Sequence, residues 1–185
     1  IVHRLDAGTS GVMVVARTPE AHRALSRAFA RREVDKSYLA IVYGSPDQDR
    51  GTIDAPIGRH PQDRKRMTIR DDGRPAHSDW TVLARAPGVS LLRDDRPTGR
   101  THQISDHLKS VHLPLVGDPV YGEVRWRSLR SDLRGALRDF PRPALHAWRL
   151  AFRHPSTGEW SEFTAPLPPD LSELWRQVAG EAPPL

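Results

Sequence analysis

The sequence predicts an α+β fold in which a mostly antiparallel mixed sheet is flanked by helices and loops. Strand-like runs outnumber helical ones, and turn residues such as Pro87-Gly88 and His154–Gly158 separate neighbouring strands. The 185 residues, 37% hydrophobic and 28% charged, suit one globular domain with a buried core. We expect this domain over residues 1–170, followed by a helical turn and a Pro-rich tail over residues 171–185.

The first elements alternate between strand and helix. Gly11–Arg17 is an apolar run that predicts a strand buried on both faces. Thr18 and Pro19 suit the cap and the first position of a helix, and apolar residues then recur at helical spacing. Ser37–Tyr43 predicts a buried strand with Tyr38 on one face and its neighbours on the other.

Basic, turn-rich segments interrupt the remaining strands. Residues 45–78 predict a surface hairpin region, and a short helix is expected after Thr101. Residues 124–143 are a second arginine-dense stretch that fits either an RNA-gripping surface or a solvated amphipathic helix. Four further strands are predicted, over residues 79–84, 89–93, 144–153 and 160–164.

Composition excludes several classes of protein. The chain has no cysteine, which rules out a disulfide scaffold, a thiolate nucleophile and a cysteine-ligated metal, and is compatible with a cytoplasmic protein. No apolar run approaches the ~18 residues of a membrane span. Phosphate-binding glycine loops and a Gly-x-Ser-x-Gly elbow are also absent. The chain begins at Ile1 within a strand-like pair, so we expect N-terminal sequence to be missing.

The charged residues favour a nucleic-acid partner over a metal ion. All but three of the 28 basic residues are arginine, whose planar fork suits phosphate oxygens and bases, although a net charge of +5 is a modest excess. His102, His107 and His112 are five residues apart, and on a helix this spacing rotates side chains by roughly 140°, so that they diverge. We therefore predict no metal site.

Two polar clusters lie at the edges of predicted strands, at His3–Gly11 and Thr98–Gln103. The first places one carboxylate, Asp6, beside Arg4 and a turn rich in glycine and hydroxyl side chains. From spacing alone, the favoured role of Asp6 is to cap this turn by accepting backbone N–H groups.

The two clusters belong to a series of motifs that resembles the RluA-type pseudouridine synthases. The first is His3-Arg-Leu-Asp-x-x-Thr-Ser-Gly11, followed by an apolar run. The others follow in the family's order: Lys36-x-Tyr38-x-Ala40-x-Val42-x-Gly44, Arg64-Lys-Arg-Met67 with Gly73-Arg-Pro-Ala76, Thr98-Gly-Arg-Thr-His-Gln-Ile104, Pro114-Leu-Val-Gly-Asp-Pro-Val-Tyr-Gly122, and Leu145-His-Ala147 with the segments that follow it.

The resemblance implies a pseudouridine synthase catalytic domain that isomerises uridine in ribosomal or transfer RNA without metal or organic cofactor. Independently of the resemblance, we take a monomer as the default expectation. Asp6 matches the family's catalytic aspartate. Arg4 matches an arginine that takes the place of the flipped base, and Tyr38 matches the tyrosine that packs against the uracil. Arg100 and His102 would contact phosphate or shape the pocket wall.

One position departs from the family pattern. In the family, the motif that Thr98–Ile104 matches normally continues Ile-Arg-Val-His, and its arginine pairs with the catalytic aspartate, whereas this chain has Ser105 at that position. A buried carboxylate without its cation would have a raised pKa, the more so if Asp106 pointed inward. Two hypotheses follow, an enzyme in which another cation replaces the arginine and a catalytically impaired RNA-binding homologue. The candidate replacements are Arg4, Arg93, Arg96 and Lys109.

Overall fold

The computed structural model describes the whole chain, Ile1–Leu185, as a seven-stranded sheet, a separate two-stranded sheet and four α-helices. The strands are β1 (Ser10–Gly11), β2 (Asp35–Tyr43), β3 (Arg50–Asp54), β4 (Ile57–Arg59), β5 (Met67–Ile69), β6 (His77–Ala86), β7 (Val89–Asp95), β8 (Leu145–Arg153) and β9 (Trp160–Thr164). The helices are α1 (Pro19–Ala30), α2 (Gln103–Ser110), α3 (Ser131–Asp139) and α4 (Pro169–Ala179).

The large sheet is almost entirely antiparallel, which confirms the predicted α+β class. Its strands run in the order β1-β8-β2-β7-β6-β3, and β9 pairs with β8 on the edge that β1 also uses. The pairing of β1 with β8 is the parallel one. Strands β4 and β5 form the small sheet within the basic region predicted as a surface hairpin.

The sheet is buried on both faces because side chains alternate along its central strands. Ile41 and Tyr43 of β2 face a core that helices α3 and α4 complete, and Trp175 of α4 is fully buried there. Tyr38 and Val42 face the opposite core, which helix α2 covers. The predicted division of the faces of β2 is therefore confirmed, and it places Tyr38 on the α2 side.

The N-terminal run differs from its prediction. Only Ser10–Gly11 pairs with β8, and Met13 and Val15 are exposed, so this segment is not a strand buried on both faces. The reason is competition for an edge: from Arg149 onward, β8 pairs with β9, which leaves the 12–16 segment without a partner strand. The helix that follows agrees with expectation, because the Thr18 hydroxyl accepts a hydrogen bond from the Ala21 N–H at 3.1 Å.

The second arginine-dense stretch lies on the sheet face opposite helix α2. It forms a 3-10 helix, Arg125–Ser128, and α3, whose Leu133 and Leu137 pack in the core with α4. Three of its arginines, Arg125, Arg130 and Arg138, pair with local carboxylates, for example Arg130 with Asp132 at 2.7 Å. This arrangement agrees with the solvated amphipathic helix, one of the two interpretations of the sequence.

The C-terminal segment is more ordered than its proline content predicts. In place of a single turn, α4 runs from Pro169 to Ala179 and buries Leu171, Leu174 and Val178. Full burial of such aliphatic side chains stabilises a fold by about 2 kcal/mol each, which offsets the weak helical propensity of the flanking prolines. No helix of the protein has the length and apolarity required to cross a bilayer.

Candidate active site

A cavity of about 500 Å³ lies between the N-terminal segment, helix α1 and the segment that leads into α2. Four of the five residues predicted for the site line this cavity, namely Arg4, Asp6, Tyr38 and Arg100, and Ser105 lines it as well. The fold therefore brings together side chains from opposite ends of a long stretch of chain, from Arg4 to Ser105. Their individual chemical roles stay predictions.

Asp6 begins a tight turn that is fixed against strand β8. The Thr9 N–H donates to the main-chain oxygen of Asp6 at 3.0 Å, and Gly8 has a φ of +82°. Gly11 has a φ of +125°, and a Cβ there would lie 2.1 Å from the Ala147 oxygen, so glycine is required at this position. The Asp6 carboxylate forms no hydrogen bond to the turn, which leaves it available to a ligand instead of capping the backbone.

His3 holds the segment that precedes Asp6. Its Nε2 accepts a hydrogen bond from the Val14 N–H at 3.0 Å, and its ring stacks on Phe29 with centroids 4.6 Å apart. Burial, assisted by the positive charge of Lys36, lowers the pKa of His3 to about 4. The ring is therefore neutral near pH 7, as an acceptor at Nε2 must be.

The ring of Tyr38 packs against the guanidinium of Arg96. Only 6% of Tyr38 is exposed, and the Arg96 guanidinium lies 4.4 Å from the ring centroid. The Arg96 Nε is buried without a hydrogen-bond partner. Asp94, the cross-strand partner of Tyr38 in β7, has both carboxylate oxygens buried and without a hydrogen bond. Burial raises the pKa of Asp94 to about 7, and the charge of Arg96 opposes that rise.

Lys36 is a site residue to which the sequence analysis assigned no role. It lines the cavity, and burial, followed by the charges of Arg96 and Arg100, lowers its pKa to about 8. The sequence could have indicated this position, because residues two apart on a strand share a face and Lys36 lies two residues before Tyr38. These cations repel one another, so an anionic ligand in the cavity would be stabilised.

Gln103 positions the loop that carries Arg100. Its side-chain oxygen accepts hydrogen bonds from the Thr98 hydroxyl at 2.8 Å and from the Arg100 N–H at 3.0 Å. Its amide nitrogen donates to the His77 oxygen and to the Ser78 hydroxyl. Because Gln103 is fully buried, this network fixes residues 98–101 at the cavity rim.

His102 and Asp106 lie outside the cavity lining. The left-handed backbone of His102, with a φ of +53°, directs its Nδ1 to the Tyr121 hydroxyl at 3.0 Å. Burial raises the pKa of Asp106 to about 6, and the nearby charges that act on it, led by Lys109 and Arg66, lower it. Asp106 lies outside the lining of the cavity that Asp6 lines, so it does not take the inward position considered from the sequence.

No cation forms a contact ion pair with Asp6 in place of the arginine missing at position 105. The Asp6 carboxylate has no ion pair within 4.0 Å. Of the four proposed replacements, Arg93 pairs with Asp95 at 2.9 Å and Lys109 lies outside the cavity lining. Arg4 and Arg96 do line it. A cation that compensates for Ser105 must therefore act across the cavity and not through a contact ion pair.

The chain belongs to the RNA pseudouridylate synthase family. The family model with that description matches residues 1–110. Among solved structures, human RNA pseudouridylate synthase domain containing 1 superposes with a TM-score of 0.80 at 32% identity, covering 96% of this chain and 72% of the human one. Human RNA pseudouridylate synthase domain containing 4 has a TM-score of 0.76 at 25% identity, with coverage of 96% and 74%.

Curated bacterial relatives are more similar in sequence. The chain is 44% identical over 178 residues to ribosomal large subunit pseudouridine synthase D of Nitrosomonas europaea and 48% identical over 177 residues to the Pseudomonas aeruginosa protein of the same name. These alignments cover 96% and 95% of this chain but 51% and 54% of the relatives. The chain thus spans about half the length of the curated relatives it matches.

Proposed function

We propose that this chain converts uridine to pseudouridine in structured RNA. The observation that carries the proposal is the meeting of one carboxylate, one aromatic ring and several cations in a single cavity, in a fold that belongs to the synthase family. The residues concerned are Asp6, Tyr38, Lys36, Arg96 and Arg100.

The proposed reaction is an isomerisation that needs no co-reactant. The bond between ribose C1′ and uracil N1 breaks, the uracil turns within the cavity, and a new bond joins C1′ to C5. The hydrogen on C5 leaves as a proton and N1 takes up a proton, so atoms and electrons balance. Asp6 would act on the ribose either as an oxygen nucleophile that later departs or as a base.

The target uridine must leave its stack to reach Asp6, at a cost of a few kcal/mol that contacts with RNA have to offset. We assign Arg4 to the vacated position in the RNA and Tyr38 to the uracil ring. Arg100 and Lys36 would attract the phosphates of the flipped nucleotide, since both lie in the positively charged wall. For His102, held by Tyr121, we propose an indirect role in shaping that wall.

The names of the bacterial relatives support ribosomal RNA of the large subunit as the first substrate to test, with transfer RNA as the second. We further propose that the protein acts as a monomer in the cytoplasm, where these RNAs are present.

Tritium release from RNA labelled at uridine C5 tests the proposal, because bond formation at that carbon expels the label. Ribosomal and transfer RNA transcripts would be incubated separately with the protein, with Asp6→Ala and with Asp139→Ala. Asp139 is an exposed aspartate that pairs with Arg138 and does not line the cavity, and it serves as the matched control. We expect release with the protein and with the Asp139 variant, and none with the Asp6 variant.

Two results would contradict the proposed activity. Release that persists in the Asp6 variant would remove the carboxylate from the chemistry. RNA binding without any release would support the catalytically impaired RNA-binding homologue, with Ser105 as its cause.

A further inference from the structure

One charged side chain, Arg142, forms hydrogen bonds to the turn that presents Asp6. The guanidinium of Arg142 donates to the Gly8 oxygen at 2.8 Å and to the Ser10 hydroxyl at 3.2 Å. It also reaches the main-chain oxygens of Pro143 at 3.2 Å and Leu145 at 3.3 Å. Gly8 and Ser10 lie two and four residues after Asp6, so these bonds act on the same turn.

Arg142 is itself anchored to helix α4. Its Nε and Nη2 donate to the two carboxylate oxygens of Asp170, at 2.8 and 3.0 Å. Asp170 stands in the first turn of α4, where its Oδ1 also accepts the Leu171 N–H at 2.8 Å. The side chain of Arg142 is 18% exposed and that of Asp170 is 44% exposed, so the arginine end of the ion pair is the one shielded from water. The hydrogen bond from Arg142 lowers the pKa of Asp170 and keeps the carboxylate charged.

Helix α4 gives this connection a rigid base. Its apolar residues pack in the core on the sheet face opposite α2, and Trp175 is fully buried there. Hydrogen bonds through Asp170 and Arg142 therefore connect the turn of Asp6 to a helix that is packed into this core. His146 adds a second support from β8, since its Nδ1 lies 2.8 Å from the Ser10 hydroxyl.

From this geometry we propose that Arg142 is a positioning residue, which holds the Asp6 turn in its reactive arrangement by tying it to Asp170 of α4. The inference rests on the proposed function. Among side chains, only a guanidinium can bond to Asp170 and to the Asp6 turn at the same time. Its five N–H donors lie in one plane, so that one edge contacts the carboxylate and the other contacts the turn. A lysine ammonium would keep the charge and lose this bridge.

The closing experiment compares Arg142→Gln and Arg142→Lys with Arg149→Gln. Arg149 offers a matched control, because it lies nearby in β8, pairs with Glu162 at 2.6 Å, is 24% exposed and has no bond to the Asp6 turn. Single-turnover tritium release at saturating RNA gives the rate of the chemical step, and RNA titration gives Kd separately. A small displacement of a reacting group lowers a rate by up to about a hundredfold, so we expect a loss of roughly tenfold or more in both Arg142 variants.

The remaining readouts separate positioning from general stability. Kd should stay within about twofold, and Arg149→Gln should keep the full rate. Arg142→Gln with Asp170→Asn should lose no more rate than Arg142→Gln alone, because the two residues act through one connection. Equal losses in the Arg149 control, or a loss that appears only in Kd, would overturn the inference.

Hydrogen exchange at the Thr9 amide gives a readout that does not depend on activity. That amide donates to the Asp6 oxygen at 3.0 Å and reports directly on the turn. We expect faster exchange in Arg142→Gln and unchanged exchange in Arg149→Gln. If the unsubstituted protein releases no tritium, the proposed function fails, and Thr9 protection alone decides the role of Arg142: unchanged protection in Arg142→Gln would refute it.

Discussion

Replacement of Asp94 by asparagine should make the protein more stable at alkaline pH. The carboxylate of Asp94 is completely buried without a hydrogen bond, and burial raises its pKa to about 7 from 3.8. Because the folded state then binds the proton more tightly than the unfolded state, stability falls as pH rises from about 4 to about 7. At about 1.36 kcal/mol per pH unit, the full cost above pH 7 is about 4 kcal/mol.

Urea unfolding of the protein and of Asp94→Asn at about pH 5 and about pH 8.5 measures this cost. Between about pH 5 and about pH 8.5, the free energy of unfolding of the unsubstituted protein should fall by about 3 kcal/mol relative to that of Asp94→Asn. About two of the roughly three pH units between the unfolded and folded pKa values of Asp94 lie in that interval. Asp139→Asn is the control, because its pKa is lowered by Arg138 and the residue stays charged in this range. A difference between protein and Asp94→Asn that does not change with pH would refute the reasoning.

Three further substitutions test the site and its supports. Ser105→Arg should raise the rate of tritium release about tenfold, as expected for a charged hydrogen bond worth about 1.4 kcal/mol, and an unchanged rate would mean that other cations already suffice. Gln103→Leu should reduce the free energy of unfolding by about 3 kcal/mol, because several buried polar groups lose their partners, whereas Gln177→Leu on the surface of α4 should change it by less than about 0.5 kcal/mol. Gly8→Ala should destabilise more than Gly158→Ala in urea, since both have positive φ but only the Gly8 Cβ meets an atom, Pro143 Cδ at 2.9 Å; equal effects would contradict a close contact.

The central sheet could be predicted because its sequence carries strong local signals. The apolar run of β2 and the turn at Pro87-Gly88 define strands whose burial leaves little choice of partner. The ends of the chain could not be predicted in the same way. Whether Val12–Ala16 forms a strand depends on whether it or β9 pairs with β8. Local composition does not indicate which of two distant segments forms that pairing.

The candidate site was predictable where chemistry depends on residue type and order, and less so where it depends on orientation. The family resemblance of the ordered motifs predicted Asp6, Tyr38 and Arg100 for one site, and all three line one cavity. The same resemblance predicted that His102 contacts phosphate or shapes the pocket wall, and its left-handed backbone turns the ring toward Tyr121, outside the cavity lining. A single backbone dihedral angle decided the direction of that ring, and sequence pattern does not specify it.

Position 105 lacks the family's arginine, but other cations line the cavity that Asp6 lines. Burial, followed by the charges of Arg96 and Arg100, lowers the pKa of Lys36 to about 8. The contribution of the two arginines means that these cations repel one another. All three cations line the cavity that Asp6 also lines, so positive charge is present there without a contact ion pair to Asp6. An added arginine at position 105 would contribute the geometry of one hydrogen bond while increasing the repulsion among the cations. For this reason the expected gain from Ser105→Arg is about tenfold and not the thousandfold that about 4 kcal/mol would give.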